Sequence, residues 1–575
     1  MLSETNLDAR GSFCDVVGGW ARRTPDHVAV ADAAATLTYR ELDRRTDDLA
    51  AALRTEGVRP GQVVALVVDR GVEHVESVLA VWKAGAAFLP LAASHPQAWS
   101  LALAERAGAA VVLGGTAVER LPGLRHLDLA RLGGVTEVGD PPVVVPEDLA
   151  YVMPTSGTTA EPKLVLVEHA GVRNLVDVQR GHFPDLGSGA RVLQFSSPAF
   201  DGAVFDLVMA LGHGARLEVP PRGVVAGDQL ATTLLDRGVT HAVLPAAVVR
   251  TLPDQAYPDL RVLVSVGEVC SPSTAARWCD RLTFVNGYGP TETTVCATLH
   301  TVTAAESAAP EVPIGRAVAG TTALVVDEHL RPVVDGGVGE IVLGGPHVAR
   351  GYLGDPALTA RRFVDNPFGA GRLYRTGDLG RRSPDGVLTF LGRGDDQLKV
   401  RGVRVEPGAV EHALTALPPV REAVVSGRGT DEGTIRLVAH VVLDDGPPMT
   451  GTAIRVALAG EVPRHLVPDE VHVLPRLPLT ANGKVDRSRL PVPVTGDVAR
   501  TTTEQALSRI LEGLLGVDGV GVHEHILDLG GHSLIATQLV ARSRAAFGDA
   551  VDLRLVLGRG TVAAIAEAID RVRAT

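Results

Sequence analysis

Residues Thr155–Lys163 read TSGTTAEPK: four hydroxyls, one glycine and one lysine, followed by the apolar run LVLV. Hydroxyls and backbone N–H groups on small residues, with an ammonium close by, can cradle a polyphosphate in a nest that needs no helix dipole. The chemistry is not that of an ordinary P-loop, which requires G-x-x-x-x-G-K-[ST]. Counting from Gly157, the sixth position is Pro162, and Leu164 follows the lysine where a magnesium-binding hydroxyl is needed. No G-x-G-x-x-G opens a helix after a strand, so a dinucleotide fingerprint is absent as well. Taken alone, the stretch reads equally well as a Ser/Thr-rich surface turn.

Other residue types that could do chemistry stand in short polar motifs. They are Asp201 in FDGAVFD, Glu292 in GPTE, Asp378 in YRTGD, Lys484 in NGKVDR and Ser533 in LGGHSL. Each has an ordinary fate to weigh against a functional one. A lysine is most often a solvated surface group. A serine before an amphipathic helix is most often an N-cap. The four cysteines, Cys14, Cys270, Cys279 and Cys296, show no metal-ligand spacing and read as small apolar residues in a reducing compartment.

Such side chains need a scaffold. A chain of 575 residues exceeds one hydrophobic core, so several domains are expected. Its net charge of −12 and 4% aromatic content argue against nucleic-acid binding. Mean hydropathy is +0.17, but the apolar runs fall far short of the ~20 residues that span a bilayer. The start, MLSETNLDAR, lacks an apolar signal core, and a cytoplasmic protein is expected.

In the first two thirds, helix patterns alternate with apolar strands (VVALVV at Val63, AVVL at Ala110, HAVL at His241, RVLVSV at Arg261), which implies parallel sheets with helical crossovers. Thr38 and Glu41 have capping-box spacing before a helix carrying Leu42, Leu49 and Leu53. After about residue 320 the pattern turns β-rich, and from Asp395 a smaller α+β unit follows. LPVPVTGDVAR, from Leu490, reads as a linker stiffened by Pro491 and Pro493. TEQALSRILEGLLG, SLIATQLVARSRAAF and TVAAIAEAIDRV then read as a helical bundle.

Nine motifs in order resemble the adenylation domains of nonribosomal peptide synthetases, within the acyl-adenylating superfamily. They are LTYREL, WKAGAAFLPL, TSGTTAEPK, FDGAVFD, NGYGPTE, GEIVLGGPHVARGYL, YRTGD, GRGDDQLKVRGVRVEPGAVE and PLTANGKVDR. A tenth, DLGGHSL, resembles a peptidyl carrier domain. The resemblance implies a large α/β core over 1–394, a small α+β subdomain over 395–493, a linker over 494–502 and an all-α four-helix carrier over 503–575.

The resemblance also implies a reaction in two halves. An amino-acid carboxylate attacks the α-phosphate of ATP, and the adenylate then passes to a thiol on the carrier. Thr155, Ser156, Gly157, Thr158, Thr159 and Lys163 would hold phosphate, and Glu292 would hold Mg²⁺. Tyr288 would stack on adenine, with Asn286, Gly289, Thr291, Gly267 and Glu268 near the nucleotide. Asp378 would accept the ribose hydroxyls, and Arg393 would contact the ribose or nearby phosphate. Lys484 would be the catalytic lysine, Asp395 the hinge, and Ser533 the 4′-phosphopantetheine site.

Asp201 matches the aspartate that pairs with a substrate α-ammonium in amino-acid-activating members. The side-chain pocket positions fall on Gly202, Phe205, Val243, Val264, Val266, Gly287, Val295 and Cys296. None is charged, so an apolar side chain is expected, because a charged one would be buried without partners. Val, Ile or Leu is favoured, with Phe next. Pro154, Ala160 and Leu164 depart from the family pattern. Ala160 and Leu164 replace common glycines, so a stiffer or differently shaped loop, with altered ATP affinity, is expected.

Two further readings stand beside this one: an acyl-activating enzyme for a non-amino acid, and a degenerate module serving as a scaffold for its carrier. The chain holds neither HHxxxDG nor G-x-S-x-G. Its partners would therefore be a phosphopantetheinyl transferase and a downstream condensation domain or tailoring enzyme, and the resemblance also admits a small MbtH-like helper.

Overall fold

The computed structural model describes residues 11–115, 121–132, 140–155, 162–221, 226–394, 397–400, 403–429, 435–444, 449–478, 485, 487–491, 499, 501–515, 520–523, 533–548, 551, 555–556 and 560–573. Packing divides the chain into two units. One takes in 1–93, 100–155 and 162–396; the other takes in 397–575 with the short segment 94–99.

In the larger unit the alternating patterns fold as parallel strands with helical crossovers. Strand Val63–Val67 pairs in parallel with Ala87–Pro90, and helix Val72–Lys83 makes the connection. Strands His241–Pro245, Val262–Val266 and Thr283–Tyr288 are likewise parallel neighbours. Their near-continuous apolar character follows from cover on both faces. These strands belong to a seven-stranded and a nine-stranded sheet, and a five-stranded sheet adds strands Arg372–Arg382 and Leu388–Arg393. Trp82 is fully buried, with its indole N–H donating to the Ala150 carbonyl at 2.7 Å. Thr38 and Glu41 form the capping box that starts helix Tyr39–Thr55, and Leu42, Leu49 and Leu53 are buried on its inner face.

The sheets are not parallel throughout. Leu149–Thr155 and Lys163–Glu168 pair antiparallel, with Thr155 opposite Lys163, and Thr283–Tyr288 pairs antiparallel with Thr298–Thr301. The phosphate-loop sequence therefore connects a hairpin rather than a strand and a crossover helix. Pro154 and Leu164 face each other within this hairpin, and Leu164 is an interior strand residue. Extended backbone suits leucine, so the replacement strains nothing at that position. Ala160 lies outside the described residues.

In the second unit, strands Val420–Gly429, Ile435–Leu443 and Glu470–Val473 form one sheet beside helices Pro407–Thr415 and Gly451–Ala459. Leu490 is buried with Val424, Val442 and Leu477. It belongs to this core and does not open the linker, a correction that its leucine side chain explains. The Pro491 carbonyl accepts hydrogen bonds from Arg428 and His440. Helices Thr502–Leu515, Ser533–Phe547 and Val562–Arg573 share a core built on Leu507, Leu511, Leu539, Ile565 and Ile569. Among the described residues no helix is long and apolar enough to cross a membrane.

Candidate active site

Three parallel strands bring the candidate pocket residues to neighbouring positions. Val243 pairs with Val264, and Val264 with Val285, two residues before Gly287. Side chains alternate along a strand, so Val264 and Val266 share a face. Phe205, Val243, Val264, Val266, Val295 and Cys296 belong to one apolar cluster, together with Leu299. A β-carbon at Gly287 would lie 3.0 Å from Val266 Cγ1 and 3.3 Å from Leu299 Cδ2. Leu299 was missed in the sequence because only the register Gly287–Leu299 places it there. Thr294 and Val295 adopt φ of 47° and 68°. Two successive β-branched residues in the left-handed region cost on the order of 1–3 kcal/mol each. That strain is held by the Thr294 hydroxyl, which donates to the His347 carbonyl at 2.7 Å. Burial pushes the Cys296 thiol up to about 12, so it contributes shape and no thiolate.

Asp201 immediately precedes helix Gly202–Leu211 and makes no side-chain cap. Burial pushes its carboxyl up to about 6; a hydrogen bond from Thr291 opposes the rise and the charge of Glu292 adds to it. Gly202 leaves room for the loop that carries Ser196, because a β-carbon there would lie 2.6 Å from Ser196 Oγ. That loop is clamped by residues the sequence reading passed over. Asp206 Oδ2 accepts the N–H groups of Phe195 and Ser196, each at 3.0 Å. Arg70 donates to the Phe195 carbonyl at 2.7 Å. Burial pushes the Asp206 carboxyl up to about 8. The second acid of FDGAVFD was the available signal.

A second group of candidates gathers around Asp378. Its two oxygens accept from the Tyr288 hydroxyl at 2.6 Å and from Arg393 at 2.5 Å, and the strand register sets Asp378 directly opposite Arg393. Tyr288 ends strand Thr283–Tyr288, and the chain then passes through Gly289, where a β-carbon would lie 2.5 Å from the Val295 carbonyl oxygen. Only glycine fits that approach. The Asn286 side chain is turned to the backbone, donating to the Pro313 carbonyl at 2.8 Å. Glu268 accepts the Ala247 N–H at 3.0 Å, and Gly267 before it has a φ of 79°.

Glu292 lies in the short turn Thr291–Thr293 and is fully buried. Its Oε1 accepts the Tyr352 hydroxyl at 2.8 Å. Lys163 is buried too, its Nζ 6.0 Å from the centre of the Tyr352 ring. Thr155 Oγ1 is buried with no hydrogen-bond partner among the described residues. A hard carboxylate oxygen near the hairpin that carries the candidate phosphate loop fits Mg²⁺, which binds through one or two carboxylates plus substrate phosphate and water. Ser156, Gly157, Thr158, Thr159, Asp395 and Lys484 lie outside the described residues. Ser533 begins helix Ser533–Phe547, and its side chain is outside the description.

Residues 19–353 match the AMP-binding enzyme family, 409–484 the AMP-binding enzyme C-terminal domain, and 505–569 the phosphopantetheine attachment site. The chain is 38% identical to novobiocin biosynthesis protein H of Streptomyces niveus, covering 95% of this chain and 94% of that protein. It is also 38% identical to bacitracin synthase 3 of Bacillus licheniformis, over 94% of its own length but only 9% of that much longer synthase. Among solved structures it resembles a holo NRPS protein containing adenylation and PCP domains, with a TM-score of 0.79 at 27% identity and 99% of both chains covered. An artificially fused adenylation–PCP di-domain from Klebsiella oxytoca gives a TM-score of 0.74 at 27% identity, covering 81% of this chain and 94% of that one. The chain belongs to the AMP-binding enzyme family: it is an adenylation–carrier module of the nonribosomal peptide synthetase kind, an ATP- and Mg²⁺-dependent ligase bearing a 4′-phosphopantetheine site.

Proposed function

We propose that the chain activates an α-amino acid with an apolar side chain, Val, Ile or Leu before Phe, and loads it on its own carrier for natural-product assembly. The observation that carries this reading is Asp201. Its carboxyl is lifted to about 6 by burial, and no cation stands against it among the described residues. A substrate ammonium supplies the missing charge, and the valines, Phe205 and Cys296 surround an apolar side chain.

Asp378 and Arg393 orient the ribose, Tyr288 lies at the base, and Lys163 with the hydroxyls of Thr155–Thr159 draws negative charge off the departing pyrophosphate. Asn286, Gly289, Thr291, Gly267 and Glu268 shape the floor of this site. Glu292 holds Mg²⁺, which when bound neutralises phosphate charge. Lys484 bridges the substrate carboxylate and the α-phosphate. Ser533 would carry the 4′-phosphopantetheine arm, whose thiol would take the acyl group from the adenylate in the second half, with loss of its proton and release of AMP. The domains run 1–394, 395–493 and 503–575 with a linker between, and Asp395 is the hinge of the turn between half-reactions. A phosphopantetheinyl transferase installs the arm. A condensation domain or tailoring enzyme takes the thioester, and an MbtH-like helper is a further candidate partner.

Amino-acid-dependent ATP–pyrophosphate exchange across an acid panel tests this reading. Exchange confined to apolar α-amino acids supports it. Exchange with acids lacking the amine overturns it, and no exchange with any acid favours the scaffold reading. Lys484→Ala lowers the exchange rate by about 10²–10³, as loss of an electrostatic donor does; a near-normal rate removes Lys484 from the mechanism.

A further inference from the structure

Tyr352, the penultimate residue of the motif GEIVLGGPHVARGYL, hydrogen-bonds Glu292 and places its ring near Lys163. Its main chain is laddered onto the strand that begins at Lys163, with Tyr352 opposite Val165 and Gly351 opposite Leu166. The Leu353 N–H donates to the Leu164 carbonyl at 2.8 Å, and the Ala349 N–H donates to the Glu292 carbonyl at 2.9 Å. One short segment therefore holds the Lys163 strand on one side and the Glu292 turn on the other. Gly351 has a φ of 144°, and a β-carbon there would lie 2.5 Å from Thr359 Cγ2, so the approach is fixed by packing.

The side chain continues the same link. The phenol donates to Glu292 Oε1 at 2.8 Å and lies 3.5 Å from the Tyr374 hydroxyl. The Tyr352 ring meets Phe363 edge-on at 5.3 Å, and Phe363 in turn packs on Tyr374 at 5.1 Å. Enclosed this way, the ring keeps one orientation. Its face lies 6.0 Å from the Lys163 ammonium. A hydroxyl donor to a carboxylate oxygen fixes the orientation of that carboxylate. A ring face holds a cation without neutralising it.

We propose that Tyr352 is the positioning residue of the phosphate side: its phenol aims the metal-binding carboxylate of Glu292 while its ring seats the Lys163 ammonium, setting the spacing of the two charges that face the triphosphate. The proposal rests on the reading of Glu292 as the Mg²⁺ ligand, and the test separates the two.

ATP binding to the full chain is measured by calorimetry over a Mg²⁺ titration for wild type, Tyr352→Phe, Tyr352→Leu, Glu292→Gln and the double variant Glu292→Gln/Tyr352→Phe. Tyr352→Phe removes only the hydroxyl. It raises the Mg²⁺ concentration for half-maximal ATP binding about 10–100-fold, the usual effect of losing a group that orients a metal ligand. Metal-free ATP binding and the amino-acid KM stay unchanged. Tyr352→Leu also weakens metal-free ATP binding, because the seat of Lys163 is gone. In the double variant the Tyr352→Phe effect disappears, since the two residues act as one unit. If Glu292→Gln leaves the Mg²⁺ dependence intact, the ligand assignment fails and the proposal falls with it. If Glu292→Gln abolishes that dependence while Tyr352→Phe leaves it at the wild-type midpoint, Tyr352 is a core tyrosine and the proposal alone is overturned.

Discussion

Asp378 and Asp201 are both carboxylate acceptors withdrawn from solvent, yet the protein supplies them differently. Asp378 receives a hydroxyl and a guanidinium from its own unit, at 2.6 and 2.5 Å. Asp201 receives a hydroxyl from Thr291, and burial lifts its carboxyl to about 6. On the proposed reading, Asp378 is held by the protein's own groups, which suits neutral ribose hydroxyls that bring no charge. The amine side is left short of positive charge, which suits a ligand that carries one. On the proposed reading, ATP would be gripped by geometry at Asp378 and the amino acid by electrostatics at Asp201.

The largest effect that could break this contrast is on folding stability. Asp378→Asn takes the charge away from beside a mostly buried Arg393, which keeps its 3.3 Å bond to the Thr376 carbonyl. Breaking one partner of a buried pair costs about 3–5 kcal/mol. Thermal denaturation is expected to show a clear loss, with weaker ATP binding in calorimetry. A variant as stable as wild type would mean that Asp378 is not charge-paired in solution.

Asp201→Asn is expected to do the reverse. Holding that carboxylate ionised at neutral pH, with its pKa moved from 3.8 to about 6, costs roughly 2–3 kcal/mol. The amide lifts this cost, so the melting temperature holds or rises. The kcat/KM for the amino acid falls by about 30–10³-fold, the range for losing one partner of a buried charge pair, while ATP binding without amino acid is unchanged. A melting temperature that drops as in Asp378→Asn would erase the distinction between the two sides.

Much of this was legible in the sequence, for identifiable reasons. Asp378, Glu292 and Asp201 were singled out by the resemblance of YRTGD, GPTE and FDGAVFD to a known family, and by no local physical signal of their own. Apolar runs such as VVALV and VLVSV announced buried parallel strands. Long-range register was not legible. Nothing local in TLHT tells that Leu299 lies over Gly287, and nothing in YRTGD tells that Arg393 faces Asp378. Asp206 and Arg70 were missed because their partners are backbone groups of Phe195 and Ser196, which leave no residue-type signature. Leu490 was taken for linker because Pro491 and Pro493 dominate the local pattern, while its burial depends on Val424 and Val442 far along the chain.

The contrast also sets a pH dependence. The Asp201 carboxyl of the free enzyme titrates at about 6, above its ordinary value, and only the anion attracts an ammonium. An ammonium holds the anion, so the pKa is lower in the complex and binding releases a proton below pH 6. The amino-acid KM therefore rises as pH falls through about 6, approaching tenfold per unit, and is flat above it. The ATP KM stays level over the same window on this account. Initial rates between pH 5 and 8 at fixed saturation of the other substrate check both. An amino-acid KM flat to pH 5 would place the Asp201 carboxyl at an ordinary value and remove the electrostatic reading of the amine side.

The smallest effect concerns side-chain choice. Gly287 lies open, but Val266 Cγ1 occupies the space 3.0 Å from where its β-carbon would be, and Leu299 the space at 3.3 Å. The room that glycine gives is thus taken back by a neighbour on the parallel strand. Val266→Gly empties it without touching Asp201 or the nucleotide side. The preference is expected to move toward phenylalanine over valine by about 1–3 kcal/mol, or 10–200-fold in relative kcat/KM, because an apolar pocket discriminates only by the methylenes it can hold or reject. Pyrophosphate exchange with the two amino acids in parallel measures the ratio. An unchanged ratio would show that Val266 does not face the substrate side chain, and the pocket's depth would then have to be set by Phe205 or by the strained Thr294–Val295 turn.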